Sequence, residues 1–276
     1  MTETIQLILL AVIQGVTEFL PVSSSAHLVF LNDLLERAGF PELEEGLMVG
    51  VLLHLASLSA ILCYYWRPVL RLLLGRDMPL LKRILVGSIP VGIVGIVVKV
   101  FFDDAFESLF GNVTAAAWML LVTAIFLKAA QMLSVRDPHH FPKWWRKNLK
   151  TLSYGRAFGI GCFQAVAVLP GISRSGSTIT AGLFTGLKRN DAATFSFLLA
   201  IPAIGAAGLV EMLKLVKEGA GDVSLVSLGI AFVVCFFVSF LSLHLLIKIL
   251  RTRRIGIFAW YLVPLALGML LLQGLT

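Results

Sequence analysis

Six long apolar runs divide the chain, and each is about as long as the roughly 20 residues that an α-helix needs to cross a bilayer. They cover residues 47–66, 84–101, 113–133, 192–210, 224–247 and 255–272. Two further apolar stretches, 5–31 and 157–187, each contain a proline and a cluster of polar residues near the middle. We interpret these two stretches as re-entrant helical hairpins, because a broken helix is tolerated at membrane depth where protein or a water-filled cavity satisfies its backbone.

The composition supports a membrane location. Hydrophobic residues make up 58% of the 276 residues and charged residues only 14%, whereas charged residues are about a quarter of a soluble domain. The sequence therefore predicts an all-α polytopic membrane protein, with six transmembrane helices and two re-entrant hairpins in a single domain over residues 1–276.

Charge between the apolar runs predicts the orientation of the chain. Basic residues concentrate in 67–83, 136–156 and 248–254, whereas alternate connections such as 33–45 and 103–107 are acidic. Because basic loops stay on the cytoplasmic side of a membrane, the three basic segments are expected to face inward. The formal net charge of +7 then reflects topology and contact with anionic bilayer lipids, and not nucleic-acid binding.

This orientation predicts an inverted-topology repeat. The halves cover about 1–135 and 155–276, and the basic cytoplasmic loop 136–156 joins them. Each half has one hairpin followed by three spans, and the two halves run in opposite directions. Such repeats place their site near the bilayer midplane, where the broken helices meet. Because secondary transporters share this architecture, transport of an anion is the alternative to catalysis.

The polar clusters in the two hairpins follow one pattern. In each, an apolar half-helix with a glutamine leads to Leu-Pro and then to a serine-rich segment. The clusters read Gln14-Gly-Val-Thr-Glu18-Phe-Leu-Pro-Val-Ser23-Ser24-Ser25-Ala-His27 and Pro170-Gly-Ile-Ser173-Arg174-Ser175-Gly-Ser-Thr178. Proline ends the first helix and serine caps the next, which exposes backbone N–H groups that suit a phosphate. Helix N-termini from both halves are therefore expected to converge on one anion.

Four side chains in these clusters are candidates for chemistry. A carboxylate in an apolar segment is costly unless it is paired, protonated or bound to a metal, so Glu18 is a candidate base or metal ligand. Arg174 offers a planar, charged fork to phosphate oxygens, and its alternative role is an ion pair with Glu18. Ser24 and His27 lie three residues apart and can share a helix face. The serines can cap a helix or one of them can be a nucleophile, and their spacing alone does not distinguish between these roles.

The two clusters, at this separation, resemble the signature motifs of the undecaprenyl-diphosphate phosphatase family, also called the bacitracin-resistance family. The resemblance continues through Arg189-Asn-Asp-Ala-Ala-Thr-Phe-Ser-Phe-Leu-Leu-Ala-Ile-Pro202. It implies a hydrolase of the bacterial inner membrane that removes the terminal phosphate of a C55 polyprenyl diphosphate. It also implies a divalent cation, Mg²⁺ or Ca²⁺, and a site that opens to the outer, periplasmic side. The reaction recycles the lipid carrier of peptidoglycan synthesis and is linked to bacitracin resistance.

With this resemblance, roles follow for the motif residues. Ser24 is expected to be the nucleophile, with Glu18 as its base or metal ligand, His27 as an assisting acid or base, and Arg174 neutralising charge. A direct attack by His27 and a metal-activated water are the alternatives to Ser24. The residues expected to bind the diphosphate are Ser23, Ser25, Ser173, Ser175 and Thr178.

One residue departs from the family pattern. The family usually has a glutamate one turn before Glu18, whereas this chain has Gln14. Glu18 and Gln14 are expected to hold the cation, but the amide lacks a charge and cannot act as a base. The partners expected from the resemblance are the polyprenyl diphosphate and bilayer lipids, and the oligomeric state stays open between a monomer and a homodimer.

Overall fold

The computed structural model describes residues 2–39, 47–102, 106, 108–109, 111–135, 148–218, 224–252 and 254–274, which form helices joined by turns. In the first half these helices are α1 (Thr2–Thr17), α2 (Ser24–Arg37), α3 (Leu47–Tyr64), α4 (Trp66–Leu73), α5 (Met78–Phe101) and α6 (Val113–Val135). In the second half they are α7 (Tyr154–Val166), α8 (Arg174–Phe184), α9 (Arg189–Glu218), α10 (Leu225–Arg251) and α11 (Ile257–Gly274). The all-α class predicted from the sequence is confirmed. Most of the basic loop, residues 136–147, lies outside the described residues.

Within the described ranges, five helices are long and apolar enough to cross a membrane, namely α5, α6, α9, α10 and α11. They coincide with five of the six predicted spans. The sixth predicted span, 47–66, corresponds to α3, after which the chain bends by 88° into α4, and the two helices taken together are long and apolar enough to be a sixth candidate span. Arg67 and Arg71 lie on α4 beside the exposed Leu70 and Leu73, a composition typical of a helix in the membrane interface.

Both polar clusters break the chain into helical hairpins. Residues 18–23 turn between α1 and α2, and residues 167–173 turn between α7 and α8. In each hairpin the two helices contact each other. The breaks fall where Pro21 and Pro170 remove a backbone donor, as the sequence predicts.

Helix packing repeats between the two halves. Helix α1 packs mainly on α10 of the other half, and α7 packs mainly on α5. Likewise α3 contacts α9, and α6 contacts α11. Let α1 correspond to α7, α3 to α9, α5 to α10 and α6 to α11. Exchanging the two halves then turns the contact between α1 and α10 into the contact between α7 and α5. It leaves the contacts between α3 and α9 and between α6 and α11 unchanged. The first helix of each hairpin is thus held by the opposite half, which brings the two turns together.

Small residues allow the closest of these contacts. A Cβ at Gly161 in α7 would collide with the backbone of Gly87 in α5. A Cβ at Gly15 in α1 would lie 2.9 Å from the Val238 side chain in α10. Because glycine lets helix backbones approach at membrane depth, these positions set how deeply each hairpin seats against the opposite half.

Candidate active site

A polar cavity of about 150 Å³ lies between the two hairpin turns. The residues that line it are Thr17, Glu18, Ser23, Ser24 and Ser25 from the first hairpin, and Ala167, Val168, Leu169, Ile172, Ser173 and Arg174 from the second. The fold therefore brings both predicted clusters to one space, although 156 positions separate Glu18 from Arg174.

Glu18 and Arg174 form the charged centre of this cavity. Nη2 of Arg174 donates to Oε1 of Glu18 at 2.6 Å, and the two side chains are only 15% and 10% exposed. The second carboxylate oxygen, Oε2, accepts from the Ser24 hydroxyl at 3.0 Å and from the Gln14 amide at 3.2 Å. The buried Nη1 of Arg174 has no hydrogen-bond partner among the described residues. Since a buried donor without an acceptor is costly, this nitrogen is suited to the oxygen of an anion that enters the cavity.

The neighbours of Glu18 hold its carboxylate in place. Its backbone N–H donates to the carbonyl of Gln14 at 2.9 Å, which extends the α1 hydrogen-bond ladder by one residue. The next residue, Phe19, is fully buried, and its ring packs edge-on against Phe197 of α9 with centroids 5.7 Å apart. The carboxylate is thus carried by a helix end that is anchored in the core.

Serines cap both helices that start at the cavity. Oγ of Ser23 accepts from the N–H of Ala26 at the start of α2, and Oγ of Ser173 accepts from the N–H of Gly176 in α8. The remaining N–H groups of each first turn lie outside the helical ladder and carry the positive end of the helix dipole. Because the first residues of α2 and α8 both line the cavity, two helix N-termini face one space.

Hydrogen bonds join the two hairpin turns directly. The N–H of Gly171 donates to the Ser25 hydroxyl at 3.2 Å, and the Ser175 hydroxyl donates to the carbonyl of Leu20 at 3.3 Å. Gly171 has a φ of 94°, and Ser23 has the one positive φ of a non-glycine residue, 70°, in the described part of the chain. Glycine adopts such a φ readily, whereas at Ser23 it costs roughly 1–3 kcal/mol. The cross-links between the turns therefore maintain a strained arrangement around the cavity.

His27 lies beside the cavity, and its two ring nitrogens are engaged elsewhere. Nδ1 lies 2.7 Å from the carbonyl oxygen of Ser23, and Nε2 lies 2.8 Å from the hydroxyl of Tyr261 in α11. Because a carbonyl only accepts, Nδ1 carries the proton, and in a neutral ring Nε2 accepts from Tyr261. The Ser24 hydroxyl turns to Glu18 instead. Ser24 and His27 therefore share a helix but do not form a nucleophile–base pair.

Two further predicted residues, Ser175 and Thr178, support the site from behind and do not line the cavity. The Ser175 hydroxyl contacts Leu20 and the Ser173 hydroxyl. The Thr178 hydroxyl donates to the carbonyl of Arg174 at 2.8 Å and bonds Ser196 of α9. The Thr178 hydroxyl thus holds α8 on α9, and its predicted binding of the diphosphate stays a prediction.

The donor set near Glu18 limits how a metal ion can be held. Within the described residues, no group of three or more His, Cys, Asp or Glu side chains could hold a metal ion. A carboxylate only accepts, so the Gln14 amide must turn its nitrogen, and not its oxygen, to Glu18. These residues do not form a protein cage for a cation. They fit Mg²⁺, which takes one or two carboxylates and completes its shell with substrate phosphates and water.

Two residues that the sequence analysis missed complete the site. The Thr123 hydroxyl in α6 accepts from the N–H of Ser173 at 3.1 Å and donates to the carbonyl of Gly171 at 3.2 Å. Tyr261 holds His27. In the sequence, only one feature could have pointed to these residues: each places a hydroxyl inside an apolar run, 113–133 for Thr123 and 255–272 for Tyr261. Hydroxyls are common in helices, so this signal alone does not point to a site.

Five candidate spans in the described residues fit a multi-pass helical membrane protein, and its cavity holds a buried ion pair, a serine hydroxyl bonded to the carboxylate and two helix N-termini. The chain matches the family model described as "Bacitracin resistance protein BacA" over residues 7–268, and it belongs to that family.

Relatives in this family match the chain over nearly its whole length. It is 38% identical over 274 residues to an undecaprenyl-diphosphatase of Rhodopirellula baltica, with 99% of each chain covered. The undecaprenyl-diphosphatases of Halothermothrix orenii and Thermomicrobium roseum are 36% and 37% identical, with 99% and 96% of each chain covered. The family resemblance read from the two motifs is confirmed.

Proposed function

We propose that this protein hydrolyses undecaprenyl diphosphate to undecaprenyl phosphate and inorganic phosphate, and so recycles the lipid carrier of peptidoglycan synthesis. Removal of the diphosphate also accounts for bacitracin resistance. The observation that carries the proposal is the chain of contacts from the Ser24 hydroxyl through the Glu18 carboxylate to Arg174, whose Nη1 is available. The relatives named undecaprenyl-diphosphatase support the same reaction.

Ser24 is the nucleophile in this mechanism. Its Oγ forms a bond to the terminal phosphorus while Oε2 of Glu18 takes the hydroxyl proton, and the bond from that phosphorus to the bridging oxygen breaks. Glu18 passes the proton to the departing undecaprenyl phosphate. Water then attacks the phosphoserine, giving a proton to Glu18, and this proton returns to Oγ as the bond between phosphorus and Oγ breaks. Inorganic phosphate leaves and Ser24 is restored.

Charge neutralisation supplies most of the catalysis in phosphoryl transfer. Nη1 of Arg174 and the N–H groups at the starts of α2 and α8 donate to the phosphate oxygens. The hydroxyls of Ser23, Ser25 and Ser173 lie at the same cavity and can donate as well. A divalent cation, Mg²⁺ or Ca²⁺, would neutralise further charge on the diphosphate, and Glu18 is the residue that would hold it, beside Gln14.

In this scheme His27 positions the turn and does not react with the substrate. Its ring joins the Ser23 carbonyl to Tyr261 and so fixes the turn that carries Ser24. Attack by Nε2 of His27 would require this nitrogen to give up Tyr261, and the ring does not line the cavity, so this is the weaker alternative.

Helix lengths and packing support an inverted repeat with re-entrant hairpins. Helices α1, α2, α7 and α8 have 16, 14, 13 and 11 residues, fewer than the roughly 20 that a span needs. The helix contacts between the halves 1–135 and 155–276 form the same set when the two halves are exchanged, as an internal repeat requires. We place the chain in the bacterial inner membrane with its site open to the outer side, as the charge pattern of the loops predicts. The mass of the detergent-purified protein distinguishes the monomer from the homodimer.

The test is release of phosphate from a C55 polyprenyl diphosphate by detergent-purified protein, with and without EDTA. We expect wild-type protein to release phosphate, EDTA to reduce the rate, and folded Ser24→Ala and Arg174→Ala variants to release almost none. No release by folded wild-type protein, across cations and lipid lengths, would contradict the proposal.

Transport of a polyprenyl phosphate or another anion is the alternative, since paired broken helices are the architecture of secondary transporters. A carrier needs hydrogen-bond donors but has no use for a hydroxyl bonded to a carboxylate, so the contact between Ser24 and Glu18 favours hydrolysis. Flux of labelled lipid in proteoliposomes that survives Ser24→Ala would support transport.

A further inference from the structure

An apolar groove adjoins the polar cavity. Its volume is about 720 Å³. Val168 and Leu169, in the turn after α7, line both the groove and the cavity. The groove therefore adjoins the space between the hairpin turns at these two residues.

Helices α5 and α7 form the walls of this groove. Its lining includes Ile93 and Val98 of α5, Cys162 and Val166 of α7, and Phe102 and Phe106, which follow α5. Among the residues that the structure describes, the side chains that line the groove are uncharged. Ile93 and Phe102 are each 56% exposed, so the groove is open along its side.

We propose that this groove binds the part of the polyprenyl tail nearest the diphosphate. The proposal rests on the proposed function, because it requires the diphosphate to occupy the cavity at Glu18 and Arg174. A hydrocarbon chain attached to that diphosphate has to leave a small polar space, and Val168 and Leu169 provide an apolar exit. Because the groove is open along its side, a tail longer than the groove continues into the bilayer.

The groove is expected to orient the substrate more than to attract it. Lipid tails are as apolar as the groove, so moving a tail from the bilayer into it yields little hydrophobic gain. Its contribution is to direct the ester end of the lipid so that the terminal phosphorus faces Ser24. Filling the groove should therefore reduce kcat/KM for long-tailed substrates and leave a diphosphate with a very short tail unaffected.

A matched pair of tryptophan variants on α5 tests this. Ile93 lines the groove, whereas Ile96, on the same helix and 67% exposed, does not. We expect Ile93→Trp to lower kcat/KM about tenfold for a C55 diphosphate, as overpacking does, and to leave hydrolysis of isopentenyl diphosphate unchanged. Ile96→Trp should change neither rate. Equal losses in the two variants, or equal losses for both substrates in Ile93→Trp, would overturn the proposal.

Alkylation of the native cysteines gives a readout that does not depend on turnover. Cys162 lines the groove and is exposed, Cys63 is exposed on α3 away from it, and Cys235 is buried. A non-hydrolysed C55 methylene-diphosphonate at about ten times its Kd should slow labelling of Cys162 by N-ethylmaleimide about tenfold, because only the free fraction reacts. Labelling of Cys63 should not change.

The labelling experiment separates two kinds of failure. If the protein hydrolyses C55 diphosphate but Cys162 is not protected, or if Cys63 is protected equally, the groove assignment is wrong and the phosphatase function stands. If no phosphate is released and Cys162 is not protected, the proposed function is contradicted as well.

Discussion

The hydroxyl of Tyr261 lies 2.8 Å from Nε2 of His27 and joins α11 to the first turn of α2. The rings also stack, with centroids 5.7 Å apart and an angle of 14° between their planes. Through Nδ1, His27 holds the carbonyl of Ser23, the residue with a φ of 70°. The last span of the chain thus steadies the strained turn that presents Ser24 to Glu18.

This contact predicts that Tyr261→Phe lowers kcat about fivefold, the effect of losing one hydrogen bond worth about 1 kcal/mol, with little change in KM. Because Tyr261 acts through His27, the double variant Tyr261→Phe/His27→Ala should be no slower than His27→Ala alone. Tyr154→Phe, which removes the hydroxyl of an equally exposed tyrosine, is the control and should match wild type. Additive losses in the double variant would show that Tyr261 acts independently of His27.

The hydrogen bond from Ser24 to Glu18 predicts a phosphoserine intermediate. Wild-type protein quenched during turnover of substrate labelled in its terminal phosphate should carry the label on Ser24, found by mass spectrometry. Ser24→Ala should lose the label and slow phosphate release roughly a thousandfold or more. Ser25→Ala, which changes the neighbouring hydroxyl, should keep it. A label on His27 would favour direct attack by the imidazole.

Burial of the pair between Glu18 and Arg174 predicts a large effect on stability. Arg174→Ala leaves the carboxylate buried without its partner and should lower the free energy of unfolding by about 3–5 kcal/mol. Arg37→Ala breaks the more exposed pair with Asp33 and should cost about 0.5 kcal/mol or less. Denaturant unfolding in detergent compares the two, and similar costs would mean that Glu18 finds another partner.

The neutral amide at position 14 predicts a response to an added charge. Gln14→Glu places a second carboxylate about 3 Å from Oε2 of Glu18, and like charges at this distance repel unless a cation lies between them. The variant should therefore reach half-maximal activity at a several-fold lower Mg²⁺ concentration and lose stability in EDTA. Gln14→Met, which removes the amide without adding charge, should show neither effect. An unchanged Mg²⁺ requirement in Gln14→Glu would argue against a cation at Glu18.

Local features of the sequence determined the helices and their breaks. Run length and composition depend only on neighbouring residues, so five spans match the helices closely, and Pro21 and Pro170 mark both hairpin turns because proline removes a backbone donor wherever it stands. The bend after Tyr64 was not predicted, since the apolar run continues to Trp66 and only the direction of α4 reveals it.

Tertiary packing decided what each polar side chain contacts. The two motifs predicted that Glu18, the serines and Arg174 would meet, because charged groups in apolar segments need partners. The sequence could not show that Thr178 turns to α9 or that His27 bonds Tyr261, 234 positions away. Those contacts, and the groove beside Val168 and Leu169, depend on the angles and depths at which helices from opposite halves pack, and no local pattern encodes these.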